Sequence, residues 1–150
     1  MRPKIQPWPI PSMKFAIFSM NYIIKNNPTK LMNAPHLLGL EGEDAAQNLL
    51  LKKGYTILKR NYRFRKAEVD LIAQKGDQII FVEVKSRTSK WVTHLADHVS
   101  KKKIRLVVEA ADHYVIENKI DLEVRFDIIT VLKTKKGLEL EHLEDAFYYF

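Results

Sequence analysis

Residues 67–87 read AEVDLIAQKGDQIIFVEVKSR, and this stretch decides the fold. It contains two short runs rich in β-branched and aromatic residues, separated by turn-forming residues, which predicts two strands of one hairpin. Gly76-Asp77 suits a two-residue loop with glycine at the first central position, where a positive φ is required. The register that this loop sets places Asp70 opposite Glu83.

The two carboxylates predict a site with a specific chemistry. Residues two apart share a strand face, so Glu83 lies beside Lys85, and Asp70 meets them from the partner strand. The Cβ atoms of directly opposite residues are roughly 5 Å apart, and like charges there destabilise a sheet. A divalent cation would offset the repulsion, since Mg²⁺ is usually held by one or two carboxylates plus substrate phosphates. Lys85 would then meet a phosphate oxygen or lower the pKa of a bound water.

The alternative is a solvated hairpin face that carries a simple Glu83–Lys85 ion pair. The run Ile79-Ile80-Phe81-Val82 argues against it, because a strand that is apolar on both faces is typical of a buried central strand. Charges at the end of such a strand need a partner or a function.

The chain resembles a known family in three motifs, which are Glu-Val-Asp-Leu-Ile (68–72), Phe-Val-Glu-Val-Lys-Ser-Arg (81–87) and Arg-Phe-Asp-Ile-Ile (125–129). These motifs resemble the YraN-type (UPF0102) uncharacterised proteins, which are placed in the restriction-endonuclease-like superfamily near the archaeal Holliday-junction resolvases. Asp70 followed by Glu83-Val84-Lys85 is similar to that superfamily's Asp…Glu-x-Lys nuclease signature. The resemblance covers residues 38–147. It implies an α/β fold with a restriction-endonuclease-like (PD-(D/E)XK) core, a mixed β-sheet flanked by helices.

Periodicity and turn signals order the chain as helix, three strands, helix and two strands. The first helix is expected from Leu37 to Lys53. Spacing alone leaves Glu43 open as a solvated flank or a ligand. Gly42-Glu43 followed by Ala46 matches the family's Gly-Glu-x-x-Ala pattern, and related nucleases place a third acidic ligand on this helix.

The resemblance therefore implies an endonuclease that depends on Mg²⁺ or Mn²⁺. The implied catalytic residues are Asp70, Glu83, Lys85 and Glu43. The implied metal ligands are Asp70, Glu83, Glu43 and the backbone carbonyl of Val84.

The distribution of charge indicates a nucleic-acid partner. The net charge is +7, and residues 52–105 carry fifteen bases against five acids, a local charge of +10. Residues 55–66 alternate bases with aromatics, which suits phosphate contacts and base stacking, but an edge strand protected by charge explains the pattern equally well. The candidate nucleic-acid-binding residues are Arg63, Arg65, Lys66, Arg87, Lys101, Lys102, Lys103 and Arg105. The last four begin the second helix, where cations oppose the helix dipole and an anionic partner would remove the penalty.

The rest of the chain suggests a cytoplasmic protein with one domain. It has 150 residues and no cysteine, which excludes disulfides and thiolate zinc sites and fits a reducing compartment. Four prolines within the first eleven residues oppose regular structure, and the apolar run at 13–24 is shorter than the roughly 20 residues that span a bilayer. We expect a disordered or dispensable extension at 1–37, a nuclease-like domain at 38–150, and no membrane partner.

Two functions compete at this stage. The first is a metal-dependent endonuclease that hydrolyses phosphodiester bonds in DNA, with branched or junction DNA suggested by the resemblance. The second is a nucleic-acid-binding protein on a nuclease fold that does not cleave. Intact Asp70, Glu83 and Lys85 favour the enzyme. A homodimer is plausible because two cuts in opposite strands need two sites.

Overall fold

A computed structural model describes residues 34–88 and 99–147. Within these residues, two helices and five strands follow the expected order: α1 (Ala34–Lys52), β1 (Thr56–Phe64), β2 (Ala67–Lys75), β3 (Gln78–Arg87), α2 (Lys101–Glu117), β4 (Glu123–Thr134) and β5 (Gly137–Leu143). Helix α1 begins three residues before the expected Leu37, so it includes residues assigned to the extension. Leu37 is half exposed, and Leu38 is the first buried residue in the described part of the chain. The preceding part of the predicted extension lies outside the described residues.

The five strands form one mixed sheet in the order β1-β2-β3-β4-β5. Strands β3 and β4 are parallel, and the other neighbouring pairs are antiparallel. Helix α2 connects the two parallel strands, which cannot be joined by a tight turn. This arrangement confirms a mixed α/β fold with a helix-flanked sheet. In the described part of the chain, no helix is both long and apolar enough to cross a membrane.

Each face of the sheet carries its own hydrophobic core. The α1-side core includes Ala46, Leu50, Leu71, Val82 and Ile129. The α2-side core includes Ile72, Phe81, Val107, Ala111 and Phe126. Residues 79–82 of β3 are fully buried because this strand contributes to both cores, as its continuous apolar sequence predicts.

The hairpin turn is the one that the sequence predicts. Lys75 pairs with Gln78 around a two-residue loop, and the same register continues to Leu71 and Val82. The paired ladder stops there, one step before the expected Asp70–Glu83 pair. Regular alternation is interrupted at this point, since Leu71 packs in the α1-side core whereas Val69 packs in the α2-side core. The prediction of a regular cross-strand Asp70–Glu83 pair was therefore wrong, although the register that led to it is confirmed.

Helix α1 approaches the end of β3 very closely at Gly42. A Cβ atom on Gly42 would lie 3.2 Å from the Cβ of Ser86 and would overlap its hydroxyl. The glycine is therefore needed for close packing between helix and strand. This contact places the adjacent Glu43 near the end of the hairpin.

Candidate active site

The site lies where the β2–β3 ladder opens. The Asp70 carboxylate accepts a hydrogen bond from the backbone N–H of Val84, with Oδ2 and N 2.7 Å apart. The carboxylate thus binds the backbone of β3 just beyond the last regular strand pair. This bond fixes Asp70 beside the residue that follows Glu83.

Glu83 is a buried carboxylate held between two lysines. Its side chain is only 3% exposed. Oε1 lies 2.7 Å from Nζ of Lys85, and Oε2 lies 3.0 Å from Nζ of Lys103 on α2. An uncompensated charge at this depth would cost several kcal/mol. The two lysines compensate for that charge, and Lys103 brings α2 into a site that the sequence assigned to the hairpin and α1.

Asp70 titrates far from the usual range of an aspartate. Burial is the largest cause, and the negative charge of Glu83 adds to it, which together raise the pKa of Asp70 to about 7. The hydrogen bond from Val84 and the charge of Lys103 act in the opposite direction but do not outweigh them. Two carboxylates therefore compete for limited positive charge, an arrangement common at functional sites.

Glu43 of α1 lies at the margin of this cluster. Its charge contributes slightly to the raised pKa of Asp70. Its nearest basic partner is Arg60, with Nη2 at 4.0 Å from Oε2, and Arg60 is held more closely by Asp44 at 2.7 Å. The Oε2 atoms of Glu43 and Glu83 are both buried without a hydrogen bond. Oε2 of Glu83 still has its ion pair with Lys103, so Oε2 of Glu43, with Arg60 only at 4.0 Å, is the oxygen that most needs a water or an ion to explain its burial.

The site offers a metal ion fewer carboxylate ligands than the sequence predicts. Among residues 34–88 and 99–147, no group of three or more His, Cys, Asp or Glu side chains is arranged to hold a metal ion. The expected set of Asp70, Glu83 and Glu43 is therefore not assembled into a three-carboxylate centre. Mg²⁺ needs only one or two carboxylates together with waters and substrate phosphates, and the carboxylates of Asp70 and Glu83 fit that need. The contact that Val84 makes here is through its N–H, and a carbonyl contact with a metal stays a prediction.

The predicted nucleic-acid-binding residues fall into distinct groups. Arg63 and Arg65 each have an acidic partner at 3.1 Å, Glu68 and Glu109 respectively. Arg87 lies at the end of β3, and its Nε is buried without a hydrogen bond. Arg63 and Arg65 are nevertheless exposed, and Lys66, Lys101, Lys102 and Arg105 are exposed as well. Lys103 is instead drawn into the site.

The aromatic residues of β1 pack against α2. The hydroxyl of Tyr62 lies 2.6 Å from Nδ1 of His113, and the rings of Phe64 and His113 stack with centroids 3.7 Å apart. Strand β1 is at the edge of the sheet. These internal contacts favour the charge-protected edge strand over a base-stacking surface for this segment.

Comparison with known proteins identifies the family. The family model described as "Uncharacterised protein family UPF0102" matches residues 42–131. A UPF0102 protein of Flavobacterium psychrophilum is 51% identical over 113 residues, which cover 75% of this chain and 95% of that relative. The protein belongs to the UPF0102 family. A UPF0102 protein of Christiangramia forsetii is 48% identical with the same coverage. The resemblance noted in the sequence is confirmed, and the matched segment of this UPF0102 chain contains Glu43, Asp70, Glu83, Lys85 and Lys103.

One solved structure also shows a weak likeness to this UPF0102 chain. It is described as the structure of Pyrococcus furiosus SfsA in complex with Ca²⁺. The identity is 17% and the TM-score is 0.32, over 73% of this chain and 63% of that chain. A likeness at this level carries no argument about fold or function.

A second buried carboxylate, Asp127 of β4, is in register with Val82 on the neighbouring strand β3. Arg125 donates to both of its oxygens at 2.9 Å. His142 of β5 lies 2.7 Å from Oδ2, and the backbone N–H of Asp145 donates to Oδ1 at 3.0 Å. Burial alone would raise the pKa of Asp127, but the hydrogen bonds from His142, Arg125 and Asp145 together lower it.

The sequence interpretation missed His142 as well as the role of Lys103. His142 follows Leu138 and Leu140 at alternate positions of β5, and both leucines pack against the α1-side core. Alternation could therefore have placed His142 on the inner face. The only signal for Lys103 was a run of lysines at a helix N-terminus, where cations are unfavourable.

Proposed function

We propose that this protein is a metal-dependent endonuclease that hydrolyses phosphodiester bonds in DNA, with branched or junction DNA among its substrates. The observation that carries the proposal is the buried Glu83, held between two lysines and placed beside the high-pKa carboxylate of Asp70. Carboxylates that can hold a cation and lysines that can hold a phosphate are the two requirements of this reaction.

Each residue has a definable task in this proposal. Asp70 and Glu83 would hold Mg²⁺ or Mn²⁺, which would neutralise charge at the scissile phosphate and make a bound water more acidic. The bond from Val84 keeps the Asp70 carboxylate in place. Lys85, whose side chain is about one-third exposed, can reach a phosphate oxygen from its position beside Glu83.

The central position of β3 supports precise placement of these groups. Residues 79–82, which precede Glu83, are fully buried, and a site on a rigid element is more precise than one on a loop. Around the site, the exposed Lys101, Lys102 and Arg105 of α2 provide cations for the phosphate backbone.

A second candidate is a DNA-binding protein that does not cleave. It is favoured by the occupation of both Glu83 oxygens by lysines and by the absence of a three-carboxylate group among the described residues. In that case the lysines would be permanent structural partners of Glu83. Phosphate binding would then need only the exposed cations.

One assay separates these functions. Purified protein is incubated with linear, nicked, flapped and four-way-junction DNA in the presence of Mg²⁺, Mn²⁺ or a chelator. The enzyme cleaves at least one substrate with a metal, and Glu83→Gln and Asp70→Asn abolish cleavage while DNA binding persists. Lys85→Ala also loses cleavage. Asp121→Asn, an exposed acid beyond the far end of α2, is the matched control and keeps full activity.

The outcomes of this assay are distinct. DNA binding without cleavage of any substrate by wild-type protein supports the second candidate. Cleavage that survives Glu83→Gln indicates a contaminating nuclease and overturns the assignment of the site.

A further inference from the structure

Lys103 differs from the lysines that precede it. Lys101 and Lys102 are exposed, whereas the side chain of Lys103 is only 27% exposed. Its Nζ lies 3.0 Å from Oε2 of Glu83 and also donates a hydrogen bond to the backbone carbonyl of Glu68 at 3.0 Å. The side chain therefore bridges α2, β2 and β3 at the site.

Helix stability does not explain this position. Ser100 caps α2 by accepting a hydrogen bond from the backbone N–H of Lys103, so Lys103 stands in the first turn of the helix. A cation there opposes the helix dipole, and a buried lysine also loses solvation and side-chain freedom. The compensating partner is Glu83, which Lys85 already neutralises through its other oxygen.

The charges of the cluster balance without a metal. Asp70 and Glu83 carry two negative charges when both are ionised, and Lys85 and Lys103 carry two positive charges. A divalent cation would leave an excess of two positive charges among these four groups, and the charge of Glu43 at the margin would offset at most one of them. One lysine must then give up its contact with Glu83, or an anion such as a phosphate must join.

Lys103 holds Glu83 by the weaker of the two contacts. Oε2 of Glu83 has no hydrogen-bond partner, although Nζ of Lys103 lies within ion-pair distance. The hydrogen bond of Lys103 goes to Glu68 instead, and the shorter 2.7 Å ion pair belongs to Lys85. Oε2 is therefore the oxygen that a metal can most easily take.

We propose that Lys103 is a positioning residue that competes with the divalent cation for Oε2 of Glu83, and that it turns to a phosphate of bound DNA when the cation takes its place. This inference rests on the proposed metal-dependent function. It makes metal binding and DNA binding cooperative, because the displaced lysine needs a new anionic partner.

The test measures metal affinity and does not depend on cleavage. Mn²⁺ is titrated calorimetrically into DNA-free wild-type protein and into Lys103→Gln and Lys103→Met. Gln keeps an N–H donor on a side chain one atom shorter, while Met keeps most of the length of the side chain without the donor. Loss of a competing positive charge should tighten Mn²⁺ binding about tenfold in both variants.

Two control variants make the result specific. Lys102→Met removes an exposed charge from the same helix turn and should bind Mn²⁺ within about twofold of wild type, since exposed charges are screened. Lys103→Arg keeps the charge and should restore an affinity close to that of wild type. Melting temperatures show which variants are folded, and either neutral variant alone carries the comparison.

A second readout follows the displaced lysine to DNA. With Ca²⁺ as a non-redox probe cation, wild-type protein should bind DNA about tenfold more tightly than with chelator, because the freed ammonium gains a phosphate. Lys103→Met should lose most of this gain and keep its affinity in chelator. A purely structural lysine would lower both affinities equally.

The two possible failures are distinguishable. If wild type binds Mn²⁺ but the neutral variants bind it no more tightly, the Lys103 inference is overturned and the metal site stands. If neither wild type nor any variant binds Mn²⁺, and Ca²⁺ does not strengthen DNA binding by wild type, the metal-dependent function is overturned together with the inference.

Discussion

Asp127 and Asp70 are two aspartates of one sheet with opposite electrostatic fates. Asp127 is fully buried and accepts hydrogen bonds from Arg125, His142 and the backbone of Asp145, so its pKa is lowered. The carboxylate of Asp70 accepts a hydrogen bond from the backbone N–H of Val84. Burial, together with the charge of Glu83, raises the pKa of Asp70 to about 7. The difference indicates that Asp127 has a structural role, because its hydrogen bonds and charge are satisfied within the protein. The charge of Asp70 is not fully compensated, and a bound ligand could supply the missing compensation.

The largest effect on stability is expected from breaking the Asp127 network. Asp127→Asn leaves Arg125 buried beside a neutral partner and should lower the free energy of unfolding by about 3–5 kcal/mol. Urea denaturation measures the change. The matched control is Glu144→Gln, whose side chain is half exposed at the edge of the same network and which should cost less than about 1 kcal/mol. Equal effects of the two substitutions would contradict the distinction between the buried Asp127 and the half-exposed Glu144.

The opposite sign is expected at the other carboxylate. The pKa of Asp70 is higher in the folded protein than in the unfolded chain, so its ionisation destabilises the fold progressively from about pH 4 to about pH 7, and fully above that. Asp70→Asn removes this cost and should raise the free energy of unfolding by up to about 4 kcal/mol at pH 8 in chelator. The gain should shrink as the pH is lowered to 5.

Thermal or urea denaturation at the two pH values checks this prediction. Asp127→Asn provides the contrast, since its destabilisation should persist at pH 8. A loss of stability in Asp70→Asn at pH 8 would mean that the Asp70 carboxylate stabilises the fold, as the carboxylate of Asp127 does.

A smaller effect, on the salt dependence of DNA binding, should distinguish the exposed lysines near the site from those away from it. Lys101→Gln with Lys102→Gln removes exposed charges near Glu83, and the slope of log DNA affinity against log salt should become shallower by about 1–2. Lys75→Gln with Lys119→Gln removes two exposed charges away from the site and should leave the slope unchanged. Fluorescence anisotropy at several salt concentrations measures both slopes. Equal changes would place the DNA surface elsewhere.

The sequence predicted what local patterns control. The Gly76-Asp77 turn, the strand register around it and the buried β3 all follow from turn chemistry and from apolar runs in adjacent residues. The contact between Arg125 and Asp127 could also have been predicted from the sequence, because residues two apart in a strand share a face.

What the sequence did not predict depends on how distant elements dock. The ladder stops before Asp70 because the alternation of β2 is interrupted there, and no local motif marks that interruption. Lys103 reaches Glu83 only because α2 packs on the sheet with its first turn above the end of the hairpin. The position of a helix along and around its axis is set by tertiary packing, which a single sequence does not encode in a readable spacing.

The contact between Gly42 and Ser86 also sets a length within the molecule. Helix α1 rests on β3 at a point where even one methyl group would collide with the strand. The absence of a side chain at Gly42 thus sets the distance between α1 and β3, and with it the position of Glu43. A Cβ atom at position 42 would require the Ser86 hydroxyl to rotate away and the two elements to separate by a few tenths of an ångström. The absence of this one atom therefore keeps Glu43 at its present distance from Asp70.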